Sequence, residues 1–117
     1  VLRECMLTPP EVDCFECNGT GTSLGDPIEV SAFRKIMSAT PRKFPLVIAS
    51  SKSNIGHGEG GAGMCGLVKC FLQVSYSEVA ASIHLERRNP HLDLDGFPCQ
   101  LLTEGLTFRE DSGYSGV

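Results

Sequence analysis

Two polar stretches of this sequence concentrate side chains that can act on a bound molecule. In "ECNGTGTSLGDPIEV", residues 16–30, Asn18, Thr20 and Thr22 alternate with glycines, so an amide and two hydroxyls stand beside residues that fill little space and permit tight turns. In "KSNIGHGEGG", residues 52–61, Lys52 and His57 lie five residues apart, a fixed positive charge and a ring that can donate, accept or carry a proton. Singly, a lysine is usually solvated and a histidine merely satisfied where it packs. On two loops that each leave a strand, Asn18, Lys52 and His57 are expected to line one cavity.

The same residues suggest other chemistries, and spacing argues against each. "GEGGAG", Gly58–Gly63, satisfies G-x-G-x-x-G with Glu78 downstream. A dinucleotide loop needs its first glycine at the end of the strand, so that pyrophosphate meets a helix N-terminus across one tight turn; here residues 51–57 intervene. The glycines read instead as positions where a helix start packs closely on other backbone. Cys14-x-x-Cys17 has metal-like spacing, but zinc needs a second pair of ligands, which His57, His84 and His91 do not provide. Cys5, Cys14, Cys17, Cys65, Cys70 and Cys99 are irregularly spaced in a chain rich in core residues, and read as small apolar residues rather than a disulfide framework. Asn18-Gly19-Thr20 also spells a glycosylation sequon, an accident in a loop expected to face a cavity.

Stepping the polar loops into place requires strands and helices around them. "VDCFEC" and "FPLVIASS" are short apolar runs, the pattern of strands covered on both faces. Asp26-Pro27-Ile28-Glu29 has an N-cap acid, a proline at the first helical position and a glutamate at the third, predicting a helix to about Ser38. From Ala62 to about Tyr76 apolar residues occupy nearly every direction of a helical wheel, broken by Lys69 and Gln73, so that helix is expected to be mostly buried. "VLRECML" reads as the last turns of a helix stopped at Pro9-Pro10, with Val1, Leu2, Cys5 and Met6 on one face. "AASIHL" and "CQLLTEGLTF" read as strands, and "REDSGYSGV" stops without an ending. Two strand–loop–helix units followed by strands make an α/β arrangement.

Composition bounds the function class. With 117 residues, 41% hydrophobic and 21% charged, the chain has the ordinary make-up of one small globular domain. A formal charge of -4, with scattered Lys and Arg, fits neither nucleic acid nor an anionic membrane. No long apolar run or secretory leader is present, so a cytoplasmic location is expected.

"ECNGTGTSLGDPIEV" resembles the "E-x-H-G-T-G-T-x-L-G-D-P-I-E" segment of β-ketoacyl synthases in modular polyketide synthases and related type I fatty acid synthases. "SSKSNIGHGEGGAG" resembles their "S-S-K-S-N-I-G-H-x-E-x-A-A-G" segment, and "RNPHLDLDGFP" is similar to a third stretch in the family's order. The resemblance implies a thiolase-like fold, of which residues 1–117 would be the C-terminal half, truncated at both ends, with some normally buried surface exposed. It implies an acyltransferase that forms carbon–carbon bonds by decarboxylative condensation of acyl and malonyl thioesters. The substrates ride on the phosphopantetheine arm of an acyl carrier protein, with no cofactor bound directly. The family's nucleophilic cysteine belongs to an N-terminal half, so the isolated chain is expected to be inactive. That half, the carrier protein and a second copy in a homodimer are the partners implied.

Residue by residue, His57 matches a histidine that donates to the malonyl thioester oxygen as enolate charge develops. Lys52 matches the family's lysine, and Thr20 and Thr22 match threonines that bind the phosphopantetheine arm. Asn18 departs from the pattern, standing where the family has its first histidine. An asparagine amide still donates a hydrogen bond but carries neither proton nor charge. Loss of a charge-assisted donor would cost on the order of 3 kcal/mol, about a hundredfold in rate. The alternative implied is a non-elongating member that passes acyl chains without condensing them, or a structural or carrier-docking module.

Overall fold

Short consecutive apolar runs become strands here because both faces of the sheet they form are covered. The computed structural model describes residues 1–107 and 115–116. In chain order the elements are β1 (Cys14–Glu16), α1 (Gly25–Met37), β2 (Leu46–Ala49), α2 (Lys52–Ile55), α3 (Ala62–Tyr76), β3 (Glu78–Val79), β4 (Cys99–Leu101), β5 (Leu106–Thr107) and β6 (Ser115–Gly116). Short 3-10 turns lie at Pro9–Glu11 and Glu59–Gly61.

The main sheet runs β4-β2-β1-β6 with every pair parallel. Cys14, Phe15 and Glu16 stand opposite Val47, Ile48 and Ala49, so β1 and β2 end side by side and release their loops at the same edge. All four β2 residues are buried. Leu46 and Ile48 join Val12, Cys17, Val30, Phe33, Met37 and Phe97 in the core under α1, while Cys14, Val47, Ala49 and Val79 form the core of the other face. Phe15 stacks on Phe33 with ring centroids 4.6 Å apart. Val30, Phe33 and Met37 recur at helical spacing, which is why α1 can present one apolar side to the sheet. Burying such a side chain contributes roughly 1.5–3 kcal/mol.

Several expectations need correction. The residue ahead of α1 is Leu24, with no side-chain cap; Asp26 and Glu29 are not a capping pair because loop N–H groups take their carboxylates. The predicted bounds of α3 hold, but only Gly66, Cys70 and Gln73 are buried. Phe71 is 69% exposed and Met64 64%, since no described element packs on those sides. "AASIHL" forms no strand: pairing ends at Val79, and His84 takes a left-handed φ of 64° that a strand cannot hold. "CQLLTEGLTF" is interrupted at Thr103–Glu104, giving β4 to the parallel sheet and β5 to an antiparallel pair with β3; its Phe108 lies outside the described residues. "REDSGYSGV" lies outside them too, except for the backbone of β6.

At the start, "VLRECML" makes a single helical turn. It closes with Leu7 N–H bonded to Leu2 C=O at 2.9 Å and Met6 N–H to Arg3 C=O at 3.2 Å, with Met6 at φ 54°, a Schellman ending. Only Leu2 reaches the core; Val1 and Met6 are exposed. Gly60, Gly61 and Gly63 have no atom within 4 Å of the place a Cβ would occupy, so they do not serve close backbone packing.

Candidate functional site

The loops after β1 and β2 are held together atom by atom. Cys17 N–H donates to Ala49 C=O at 2.7 Å, the last backbone bond between them. Beyond it side chains take over. Ser50 Oγ donates to Asn18 C=O at 3.3 Å, and Lys52 Nζ donates to Asn18 Oδ1 at 3.0 Å. Gly19 is required at this crossing: its φ is 49°, and a Cβ there would fall 2.8 Å from Ser50 Cβ.

From the opposite side, α1 clamps the glycine loop. Glu29 accepts Asn18 N–H on one oxygen at 2.6 Å and Gly19 N–H on the other at 3.0 Å, and Asp26 accepts Gly21 N–H at 3.1 Å. Hydrogen bonds to a charged group stabilise by roughly 1.5–3 kcal/mol each, so the carboxylates are better used here than as helix caps. Asn18 is thereby fixed at its N–H by α1, at its C=O by the exit of β2 and at its side chain by α2.

Two cavities flank the loops. Asn18 and Lys52 line one of about 730 Å³, together with Glu16, Glu29, Phe33 and Gly63. The other, of about 600 Å³, lies between Gly19, Gly21 and the segment Arg87–Leu92. Small Ala62, Gly63 and Gly66 leave the first cavity open where α3 begins.

The structure therefore brings Asn18 and Lys52 into contact. His57 does not join them as expected: it lies just past Gly56, which ends α2, is exposed, and lines neither of these two cavities. Its Nδ1 accepts Glu59 N–H at 3.0 Å, which places the proton of a neutral ring on Nε2 and makes that atom a donor. Thr20 and Thr22 are exposed with hydroxyls 3.5 Å apart; Thr22 Oγ1 also accepts Gly25 N–H at 3.0 Å, and Asn89 Nδ2 donates to Thr22 C=O at 3.2 Å. The last bond shows why the "RNP" segment belongs with the glycine loop.

All six cysteines are free thiols. Burial, reinforced by Glu29 and Glu16, pushes the Cys17 thiol far above its ordinary range. Burial and Glu16, opposed by Lys69, push Cys70 up to about 11. Neither offers a thiolate near neutral pH.

Sequence reasoning missed Glu16, Glu29 and Asp26 as the residues that hold the loops. The signal was available for Glu16: a carboxylate in a buried apolar strand needs donors close by. Its oxygens accept Ser51 N–H and Lys69 Nζ, the latter at 2.8 Å.

The chain is similar to known proteins in both sequence and structure. The sequence profile of the beta-ketoacyl synthase C-terminal domain matches residues 1–86. Polyketide synthase GfsA of Streptomyces halstedii is 39% identical over 113 residues, covering 97% of this chain and 2% of that protein. Prosolanapyrone synthase of Alternaria solani is 44% identical over 97 residues, covering 82% of this chain and 4% of that protein. Among solved structures, the oxazolomycin ketosynthase domain OzmH KS7 of Streptomyces albus JA3453 superposes with a TM-score of 0.83 at 40% identity, covering 92% of this chain and 19% of that one. Ketosynthase twelve of the bacillaene polyketide synthase of Bacillus amyloliquefaciens gives 0.84 at 32% identity, covering 94% and 20%. The chain thus spans a few per cent of the curated relatives and about a fifth of the ketosynthase chains it matches. Its α/β architecture is part of a thiolase-like fold, and by sequence and structure the chain belongs to the β-ketoacyl synthase C-terminal domain family of polyketide synthase ketosynthases.

Proposed function

We propose that this chain supplies the enolate-stabilising half of a polyketide ketosynthase active site, in an intracellular acyltransferase that joins acyl and malonyl thioesters by decarboxylative condensation. The nucleophilic cysteine comes from an N-terminal half of the same domain, and the complete domain works as a homodimer on acyl carrier protein. Supporting this, the protonated, buried thiols of Cys17 and Cys70 are unsuited to attack a thioester. His57 donates from Nε2 to the malonyl thioester oxygen, and Thr20 and Thr22 hydrogen-bond the phosphopantetheine arm.

The observation that carries the reading is the Lys52–Asn18 contact. An ammonium only donates, so the atom of Asn18 facing it at 3.0 Å is the oxygen, and Nδ2 is left as a donor. That is the arrangement a neutral imidazole would give at position 18, one atom accepting from Lys52 and the other donating to substrate. We therefore favour a condensing site over a non-elongating one. The test is Lys52→Met in the complete ketosynthase, which frees the amide to turn. Release of carbon dioxide from a malonyl thioester is expected to fall by at least about tenfold with acyl-enzyme formation preserved. Unchanged decarboxylation would refute it.

A further inference from the structure

Glu16 is a carboxylate at the end of β1, 3% exposed, with both oxygens occupied. One accepts the N–H of Ser51; the other lies 2.8 Å from Nζ of Lys69, whose side chain on α3 is 13% exposed. Glu16 stands two residues before Asn18, and the N–H it holds belongs to the residue before Lys52. It therefore ties the end of β1 to the start of α2, beside the Cys17–Ala49 backbone bond and the Ser50–Asn18 contact, where the two site loops begin to diverge. Glu16 and Lys52 also line the same cavity. Glu29, the other carboxylate of that lining, is spent on the N–H groups of Asn18 and Gly19, and Lys69 occupies Glu16. Among the described residues no carboxylate stands within ion-pair distance of Lys52, which is directed at an amide oxygen instead.

We propose that Glu16, with Lys69 neutralising its charge, is a positioning residue for the Asn18–Lys52 pair, fixing Ser51 and the start of α2 against the end of β1. This rests on the enolate-donor reading of Asn18. Ser51 is held by its backbone, so the acceptor must sit where β1 ends, and a buried acceptor carrying full charge needs a cation from another element. Lys69 supplies it and brings α3 into the same arrangement. The pair touches neither substrate nor reacting atoms; it acts through the spacing of the two loops.

The test separates a positioning role from a structural one by two double variants in the complete ketosynthase. Glu16→Leu with Lys69→Met replaces the pair by apolar groups of similar size, a change that commonly preserves stability but here removes the acceptor for Ser51 N–H. Glu16→Gln with Lys69→Met also removes both charges but keeps an oxygen for that N–H. The apolar variant is expected to lower kcat for malonyl decarboxylation by about tenfold, with KM and acyl-enzyme formation within about threefold of wild type; the glutamine variant is expected to recover most of that loss. Equal decarboxylation in the apolar variant and wild type would overturn the proposal. So would parallel loss of acylation and decarboxylation in both variants, or a glutamine variant no better than the apolar one. Asn18→Leu is assayed alongside: if it leaves decarboxylation intact, the donor reading falls and the positioning role with it, whereas slowing in Asn18→Leu but not in the apolar variant overturns the positioning role alone.

Discussion

The ammonium of Lys52 donates to the side-chain oxygen of Asn18 across 3.0 Å, joining the loop after β2 to the loop after β1. The contact has an electrostatic consequence as well as a geometric one. A positive charge this close disfavours a second one, so the same lysine would work against protonation of an imidazole at position 18. The capacity that asparagine lacks, carrying a proton, is one the neighbouring ammonium opposes.

Removing the amide while keeping its bulk takes away the donor, together with the oxygen that accepts from Lys52. Asn18→Leu is expected to slow malonyl decarboxylation by about a hundredfold, the loss usual for one oxyanion donor, while acylation of the nucleophile changes little. Intact-mass detection of the acyl-enzyme and trapping of released carbon dioxide read the two steps separately.

The two glycines of the first loop should respond differently to a methyl group. At Gly19 alanine would meet Ser50 Cβ and Oγ at 2.8 and 2.9 Å, besides taking a φ of 49°, so Gly19→Ala should displace Ser50 and lose its bond to Asn18 C=O. At Gly21, φ is 77° but nothing lies within 4 Å, leaving only backbone strain of roughly 1 kcal/mol. Denaturant unfolding and decarboxylation assays of both variants should show the larger loss of stability and of rate in Gly19→Ala; equal effects would mean the Ser50 crossing is not needed.

Much of this arrangement was legible in the sequence because it is local. The runs around β1 and β2, the helix from Ala62 to Tyr76 and the loops between them follow from periodicity and glycine placement, and the motif resemblance assigned Asn18 and Lys52 to one site before they were seen in contact. What was hidden is long-range. Asp26-Pro27-Ile28-Glu29 reads as a capping sequence until the glycine loop folds back and supplies N–H groups to both acids. The exposure of Phe71 and Met64 on α3 depends on which elements stand beside the helix, and its own wheel cannot say. The strand expected in "AASIHL" had propensity but no neighbouring strand to extend its pairing past Val79.

The thiols give a pH dependence of defined sign. Burial raises the Cys70 thiol from an ordinary 9.0 to about 11, so the folded state favours the protonated form more than the unfolded chain does. Its contribution to stability is complete below about pH 9 and is lost as pH rises toward 11. Unfolding midpoints measured at pH 8 and pH 10.5 should therefore fall less for Cys70→Ala than for wild type. Alkylation near neutral pH should modify exposed Cys5 before buried Cys14, Cys17 or Cys70.

The most direct test of Asn18 as a competent donor is the release of carbon dioxide from malonyl thioester by the complete ketosynthase bearing Asn18→His, with acyl-enzyme formation measured in the same preparation. With Lys52 disfavouring protonation of an imidazole at position 18, the rate is expected to stay within about fivefold of wild type at unchanged acylation. A rise of about a hundredfold would contradict this account and identify Asn18 as the mark of a ketosynthase that passes acyl chains without extending them.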